Sequence, residues 1–323
     1  MIEEKMPSRF LISAFCAGCI FLAVYSWRAE SRMRGAEAPT PAGSVETGVH
    51  WANPNDFPEL KRLGLQFAAV SLDRDPEHWR EVFDAAEKAG IRLIAGLHPY
   101  PYRLEAGRWT IEPAGRDFIE FARQRRTVTK AIYGFNEPYW LDPATGENNP
   151  CGVYSAAELR QLRAEIRQIW PQALIYHDFG RPSLWAPGGS VERDHPCVGL
   201  RYREVSQVAD YAGIWFYPFD REAPYRREEL VLSMREELAY VTRSMRAEAI
   251  MLGQSFRCER CSNGTRMPTV DEIRDLNCTF RWMGPQAISW YTWRQPAYRE
   301  SLAGHRELWE AMGPRGCPDG RGL

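Results

Sequence analysis

Ala131-Ile132-Tyr133-Gly134-Phe135-Asn136-Glu137-Pro138 is the stretch on which the fold turns. Val128 to Phe135 reads as a buried strand, and Pro138, which has no ladder donor, stops it. Asn136 and Glu137 then stand at the strand's carboxyl end, with Tyr139 and Trp140 just beyond. A carboxylate so placed, ringed by aromatics, suits proton transfer. A strand-ending turn with a solvated Glu would read the same over four residues, so the rest of the chain has to decide.

Working outward, apolar strand-like runs alternate with amphipathic helical stretches from Val45 onward. The expected strands are Thr47–Trp51, Phe67–Leu72, Arg92–His98, Ala131–Phe135, Ala173–His177, Gly213–Tyr217, Ile250–Ser255 and Ala287–Trp293. Helices are expected to start near Asp56, Glu77, Gly115, Ser155, Val191, Arg226, Thr269 and His305. Ser155 with Glu158, and Thr269 with Glu272, have the spacing of capping boxes. Gly90 supplies a left-handed stop after Lys88-Ala89. Strand–helix pairs in this number, over roughly 270 residues, predict an α/β chain of the (β/α)₈ TIM-barrel class. A doubly wound sheet would favour a Gly-rich phosphate loop, and no G-x-G-x-x-G or Walker pattern occurs. The fifth unit is the weakest: Phe179 to Val208 is long, rich in Pro and Gly, and reads as an elaborated loop.

In such a barrel the site lies where the strands end. Those ends offer His50 and Trp51, Ser71 and Asp73, His98 and Tyr100, Asn136 and Glu137, His177 and Asp178, Trp215 and Tyr217, Gln254, and Trp290, Tyr291 and Trp293. Polar and aromatic groups converging on one rim fit a ligand site.

The chain resembles the large clan of (β/α)₈ glycoside hydrolases whose acid/base Glu follows an Asn at the end of the fourth strand. Gly134-Phe135-Asn136-Glu137-Pro138 matches that motif, and Gly48-Val49-His50-Trp51 looks like the clan's first strand. Trp215-Phe216-Tyr217-Pro218 looks like its sixth, and Ser289-Trp290-Tyr291-Thr292-Trp293 like its eighth. The resemblance implies Glu137 as general acid/base. It implies that Tyr217 faces the second carboxylate and that a Trp of the eighth strand, Trp290 or Trp293, lies under the sugar, since these two point to opposite faces of a strand. By their strand-end positions Asn136, Trp51, His98, His177 and Gln254 join them as candidate substrate contacts. One departure stands out: Gln254 occupies the place of the clan's nucleophilic Glu on the seventh strand. An amide cannot form the glycosyl ester, and a retaining double displacement needs two carboxyl groups about 5–5.5 Å apart. The open routes are an inverting reaction with another carboxylate as base, attack by the substrate's own acetamido group, or binding without turnover. Asp178 is the first candidate base, followed by Asp73 and Asp220, with Glu259 as a late alternative.

Towards the amino terminus, Phe10 to Trp27 forms an 18-residue apolar run preceded by Lys5 and Arg9. Residues 1–30 are expected to be a signal-anchor or signal peptide, 31–44 a flexible tether, 45–314 the barrel and 315–323 a tail. The barrel would lie outside the cytoplasm, membrane-anchored or secreted. Cys151, Cys197, Cys258, Cys261, Cys278 and Cys317 are even in number after an export signal, which favours disulfides. Cys258-Glu259-Arg260-Cys261 lacks a second half for zinc.

The 41 basic and 42 acidic residues leave no field that would draw nucleic acid. The 12 Trp, 14 Tyr and 14 Phe suit stacking on sugar rings, and equally a large core. The expectation is therefore a monomeric protein that acts on or binds polysaccharide, touches the membrane through its first segment, and needs no cofactor and no metal. A metal-dependent hydrolase using His50, His98 and His177 ranks below it, since the His-x-His pair and late Asp of such sites are missing. A purely structural envelope protein would leave the polar ring unexplained.

Overall fold

The computed structural model describes residues 45–138, 154–185, 204–219, 221, 224–258, 264–294 and 300–317. The expected anchor and tether, Tyr139, Trp140, Cys151, Val191, Cys197, Asp220, Glu259 and Cys261 lie outside the described residues. Among the described residues no helix is long and apolar enough to cross a membrane.

The barrel strands are β1 (Glu46–His50), β2 (Phe67–Leu72), β3 (Arg92–Leu97), β4 (Thr129–Asn136), β5 (Ile175–Gly180), β6 (Tyr211–Phe216), β7 (Glu248–Gln254) and β8 (Ala287–Tyr291). They close in sequence order, each pairing in parallel with the next, and β1 joins β8 through Glu46–Ala287 and Val49–Trp290. The expected strands all appear, with ends shifted by a few residues.

The outer layer comprises α1 (Phe57–Arg62), α2 (Pro76–Ala89), α3 (Pro113–Gln124), α4 (Ala156–Ile169), α5 (Pro182–Trp185), α6 (Arg227–Tyr240), α7 (Val270–Met283) and α8 (Arg306–Met312). Helix α4 opens on the expected box: Ser155 N–H donates to Glu158 Oε2 at 2.6 Å, and Glu158 N–H to Ser155 Oγ at 3.3 Å. Thr269 and Glu272 do the same for α7. Gly90 ends α2 at φ 68°. Sequence reading missed the short hairpin Tyr102–Glu105 with Arg108–Ile111, and the paired segments Phe256–Arg257 and Glu300–Ser301.

Side chains alternate between two cores, as the two-residue strand period requires. Phe67, Ala69, Ile94, Ala131, Tyr133, Tyr176, Ile250 and Leu252 fill the barrel. Val49, Val70, Ile132, Ile175, Met251 and Ile288 pack in the larger cluster that also holds the helices. Inside the barrel, buried Lys130 pairs with Glu46 at 2.5 Å and lies over the rings of Phe67 and Tyr211. The chain stays attached beyond α8: Cys317 forms a disulfide with Cys278 of α7. Cys258 is also disulfide-bonded.

Candidate active site

Two register shifts shape the carboxyl ends of β4 and β5. The β4–β5 ladder slips between Tyr133 and Asn136, and the β5–β6 ladder between Asp178 and Gly180. Such bulges re-aim side chains at barrel rims. Beyond the first, the Glu137 N–H donates to the Asp178 carbonyl at 2.7 Å, and Glu137 takes φ 45°. Trp51 at the end of β1 takes φ 62°. Left-handed backbone costs a non-glycine residue about 1–2 kcal/mol, so both rim residues are held there by their surroundings.

Glu137 lines a cleft of about 420 Å³ together with Gly180, Arg181, Trp215 and Tyr217. Trp215 and Tyr217 stack at 5.4 Å with their planes 20° apart. Tyr291 stands 6.0 Å from Tyr217 and 5.7 Å from His50. Gly180 has φ 66°, and a Cβ there would lie 3.8 Å from Glu137 Oε1 and 3.7 Å from the Trp215 ring. Glycine thus keeps the space in front of the carboxyl open.

Asp178 is 0% exposed. It accepts from Trp215 Nε1–H through Oδ1, and also from the Gly180 amide and the Tyr176 hydroxyl, while Oδ2 has no partner among the described residues. Burial pushes its pKa up to about 7, opposed by those donors. Burial also raises Glu137, to about 8, and the nearby Asp178 charge adds to it. Glu137 is thus a carboxyl that keeps its proton near neutrality, as a general acid must.

A hydrogen-bonded line runs beneath Asp178. Ser289 Oγ lies 2.8 Å from His50 Nδ1, and His50 Nε2 lies 3.3 Å from the Tyr176 hydroxyl, which bonds Asp178. Burial lowers the His50 pKa to about 3, so the ring is neutral. One ordering gives every atom a single role: the Ser289 hydroxyl donates to Nδ1, Nε2–H donates to Tyr176, and the Tyr176 O–H donates to Asp178. The line then favours ionised Asp178.

Of the residues expected at the site, Glu137 and Tyr217 line the cleft and Asp178 lies buried beside Glu137, while Asn136 and Trp51 stand at strand ends and are not among the cleft's lining residues. The Asn136 N–H is held by the Tyr100 hydroxyl at 3.0 Å, and Trp51 faces Tyr133 at 6.4 Å. His98 is exposed, edge-on to Tyr100 at 5.8 Å.

Several expectations need correction. His177 points out of the barrel: it stacks on Phe135 at 5.8 Å, accepts from the Phe135 N–H, and occupies the space a Cβ on Gly134 would take. Trp290 is 0% exposed and donates to the Met312 carbonyl. Trp293, 1% exposed, packs on Trp309 at 5.0 Å. Neither Trp faces the mouth; Tyr291 does. Gln254 makes no open contact either. Its Oε1 accepts from the Phe219 N–H at 3.0 Å, and its Nε2 donates to the carbonyls of Phe219, Phe256 and Arg266 at 3.1–3.3 Å. It braces three backbone segments around the mouth. Asp73 is exposed and bound to the Asp75 N–H and to His78, at the start of α2. Asp178, fully buried, is shielded from water and acts on Glu137 through its charge.

Sequence reading missed Tyr176 and Arg181. Tyr176 was within reach, because it stands two residues before Asp178 and so shares its face. Among the described residues no three His, Cys, Asp or Glu side chains converge as a metal site would need.

No protein-family profile matches the chain. Among curated proteins it is 29% identical over 161 residues to a "Putative S-adenosyl-L-methionine-dependent methyltransferase" of Mycolicibacterium paratuberculosis, covering 47% of this chain and 43% of the relative. A protein of the same description from Mycobacterium avium is 31% identical over 134 residues, 40% of this chain and 35% of the relative. The chain thus spans less than half the length of these two relatives. Among solved structures, a "putative alpha-L-fucosidase" from Bacteroides thetaiotaomicron aligns with a TM-score of 0.51 at 12% identity, covering 86% of this chain and 96% of that one. Endo-glycoceramidase II from Rhodococcus aligns at 0.49 and 13% identity, covering 79% and 74%. A GH128 endo-beta-1,3-glucanase from Amycolatopsis mediterranei, in complex with laminarihexaose, aligns at 0.45 and 15%, covering 84% and 100%. At these identities the likeness is one of fold alone, in keeping with the closed eight-stranded barrel.

Proposed function

We propose that this chain is a glycoside hydrolase-like barrel that acts on polysaccharide, with Glu137 as general acid. The observation that carries the reading is a half-buried carboxyl, its pKa raised to about 8, opening onto a cleft walled by the stacked rings of Trp215 and Tyr217. A sugar ring laid on that wall would bring its glycosidic oxygen to Glu137 through the gap above Gly180. Glu137 would give its proton to the leaving oxygen as the bond breaks. Asp178 would hold that proton in place beforehand, because a negative charge beside Glu137 opposes a second one. Asn136 would bond a sugar hydroxyl beside the reacting carbon.

Retention through an enzyme ester does not fit Gln254, whose amide is committed to backbone. The reading is therefore of an inverting or substrate-assisted reaction. Asp220 and Glu259, outside the described residues, are the sequence's remaining bases for it. The domain would work outside the cytoplasm, tethered by the Phe10–Trp27 segment or released from it. The methyltransferase descriptions belong to relatives matched over part of their length, and this reading does not draw on them.

Gln254 also favours a second reading, a barrel that binds saccharides without cleaving them. Reducing-end release from a panel of polysaccharides separates the two, with Glu137→Gln beside wild type. Turnover by wild type that falls by about 10²-fold or more in the variant supports hydrolysis. Equal background from both, with glycan binding retained, leaves the binding reading.

A further inference from the structure

Arg181 follows Gly180 into the cleft, where it is the only cationic residue among the described lining residues. Its side chain is 42% exposed and is paired at 3.4 Å with Glu237 of α6, which is 0% exposed. Arg181 Nε donates to Glu237 Oε1, and Nη2 donates to the Ser233 hydroxyl. Nη1 has no partner among the described residues. Glu237 in turn accepts from the Ser183 N–H at 2.9 Å and the Ser183 hydroxyl at 2.6 Å. A buried carboxylate is costly unless fully bonded, and here its bonds hold one guanidinium by the Nε side. The outer end of the fork is left open, on a residue that lines the same cleft as Glu137. Such a held fork matches a carboxylate, whereas the hydroxyls of a neutral sugar need no fixed cation.

We propose that the cleft takes acidic saccharides, with a uronate carboxylate seated on the open end of the Arg181 guanidinium and a sugar ring against Trp215 and Tyr217. This rests on the saccharide reading above and names its substrate class.

The test is calorimetric binding to the full-length protein of oligogalacturonate, oligomannuronate and oligoglucuronate. Each is paired with its own methyl ester, which keeps the rings and removes the charge, and neutral laminari- and cello-oligosaccharides complete the set. The expected result is that at least one acid binds roughly tenfold or more tighter than its ester, as a charge-assisted hydrogen bond implies. That preference should weaken with added salt, disappear in Arg181→Gln and persist in part in Arg181→Lys. Melting temperatures of both variants check folding, and the acid–ester comparison in wild type needs neither variant. Neutral sugars and esters binding as well as the acids would overturn the inference and leave the saccharide reading standing. An acid preference that survives Arg181→Gln would also overturn it. If nothing in the set binds, both fall together.

Discussion

The backbone N–H of Glu137 is bonded to the carbonyl of Asp178 at 2.7 Å, so two acidic residues leave adjacent strand ends at one level of the barrel mouth. One opens onto a cleft and the other is sealed beneath it. That difference in burial divides their parts: Glu137 lines the cleft, where the proposed ligand would meet it, and Asp178 adds to the field Glu137 feels. The pair costs stability, because neither carboxyl is comfortable ionised. The left-handed backbone at Glu137 adds to that cost.

Stability should therefore fall with rising pH in a defined window. Both carboxyls have folded pKa values above the ordinary carboxylate range, about 8 for Glu137 and about 7 for Asp178. Between pH about 4 and these values the folded state binds more protons than the unfolded, so stability declines as pH rises. Buried His50 and His177, each lowered to about 3, act the other way: between that value and the unfolded histidine pKa of about 6.5, stability climbs with pH. The carboxyl effect is thus uncovered above pH about 6.5. Thermal melts from pH 6.5 to 9 should show a declining Tm in wild type and a flatter line in Glu137→Gln. Parallel lines would contradict the assignment.

Tyr176→Phe removes a donor that favours ionised Asp178, without touching the cleft lining. Asp178 then keeps its own proton to higher pH, and Glu137 loses part of the charge that raises it. The alkaline limb of the pH–activity curve should move to lower pH, by up to about one unit, the size of a single hydrogen bond. Ser289→Ala, which acts through His50, should give a smaller shift of the same sign. A uniform loss of activity with no movement of the limb would argue for packing alone.

Gln254→Glu would place at the end of the seventh strand the acidic residue carried there by the glycoside hydrolase clan that the sequence resembles. The structure argues that it will not restore a nucleophile. Nε2 donates to the carbonyls of Phe219, Phe256 and Arg266, and an oxygen there would face those acceptors with no proton to give. Chemical denaturation should show a loss of about 2–3 kcal/mol or more, with no gain in turnover. A variant as stable as wild type, or a more active one, would show the amide to be dispensable.

The closed barrel was legible because strand-like runs recur between helices with readable caps, and Ser155–Glu158 and Gly90 behave as their chemistry requires. Facing was harder. His177 and Asp178 are neighbours, so only one can point inward, and the sequence does not say which. The slip between Tyr133 and Asn136 resets the alternation just before Glu137. Trp290 and Trp293 read as sugar platforms by their type, yet the layer under α7 and α8 needs large apolar side chains too. Gln254 looked like a ligand contact because its partners, Phe219 and Arg266, are backbone groups far away in sequence. Arg181 carried no signal at all, since its meaning depends on Glu237, 56 residues later.

The most direct test is the titration of the Glu137 carboxyl itself, followed by carbon NMR of selectively labelled protein in wild type and in Asp178→Asn. The account predicts a wild-type midpoint near 8 that drops in the variant yet stays above the ordinary glutamate range, because burial remains when the neighbouring charge is gone. A wild-type midpoint at the ordinary glutamate value, unmoved by Asp178→Asn, would contradict it.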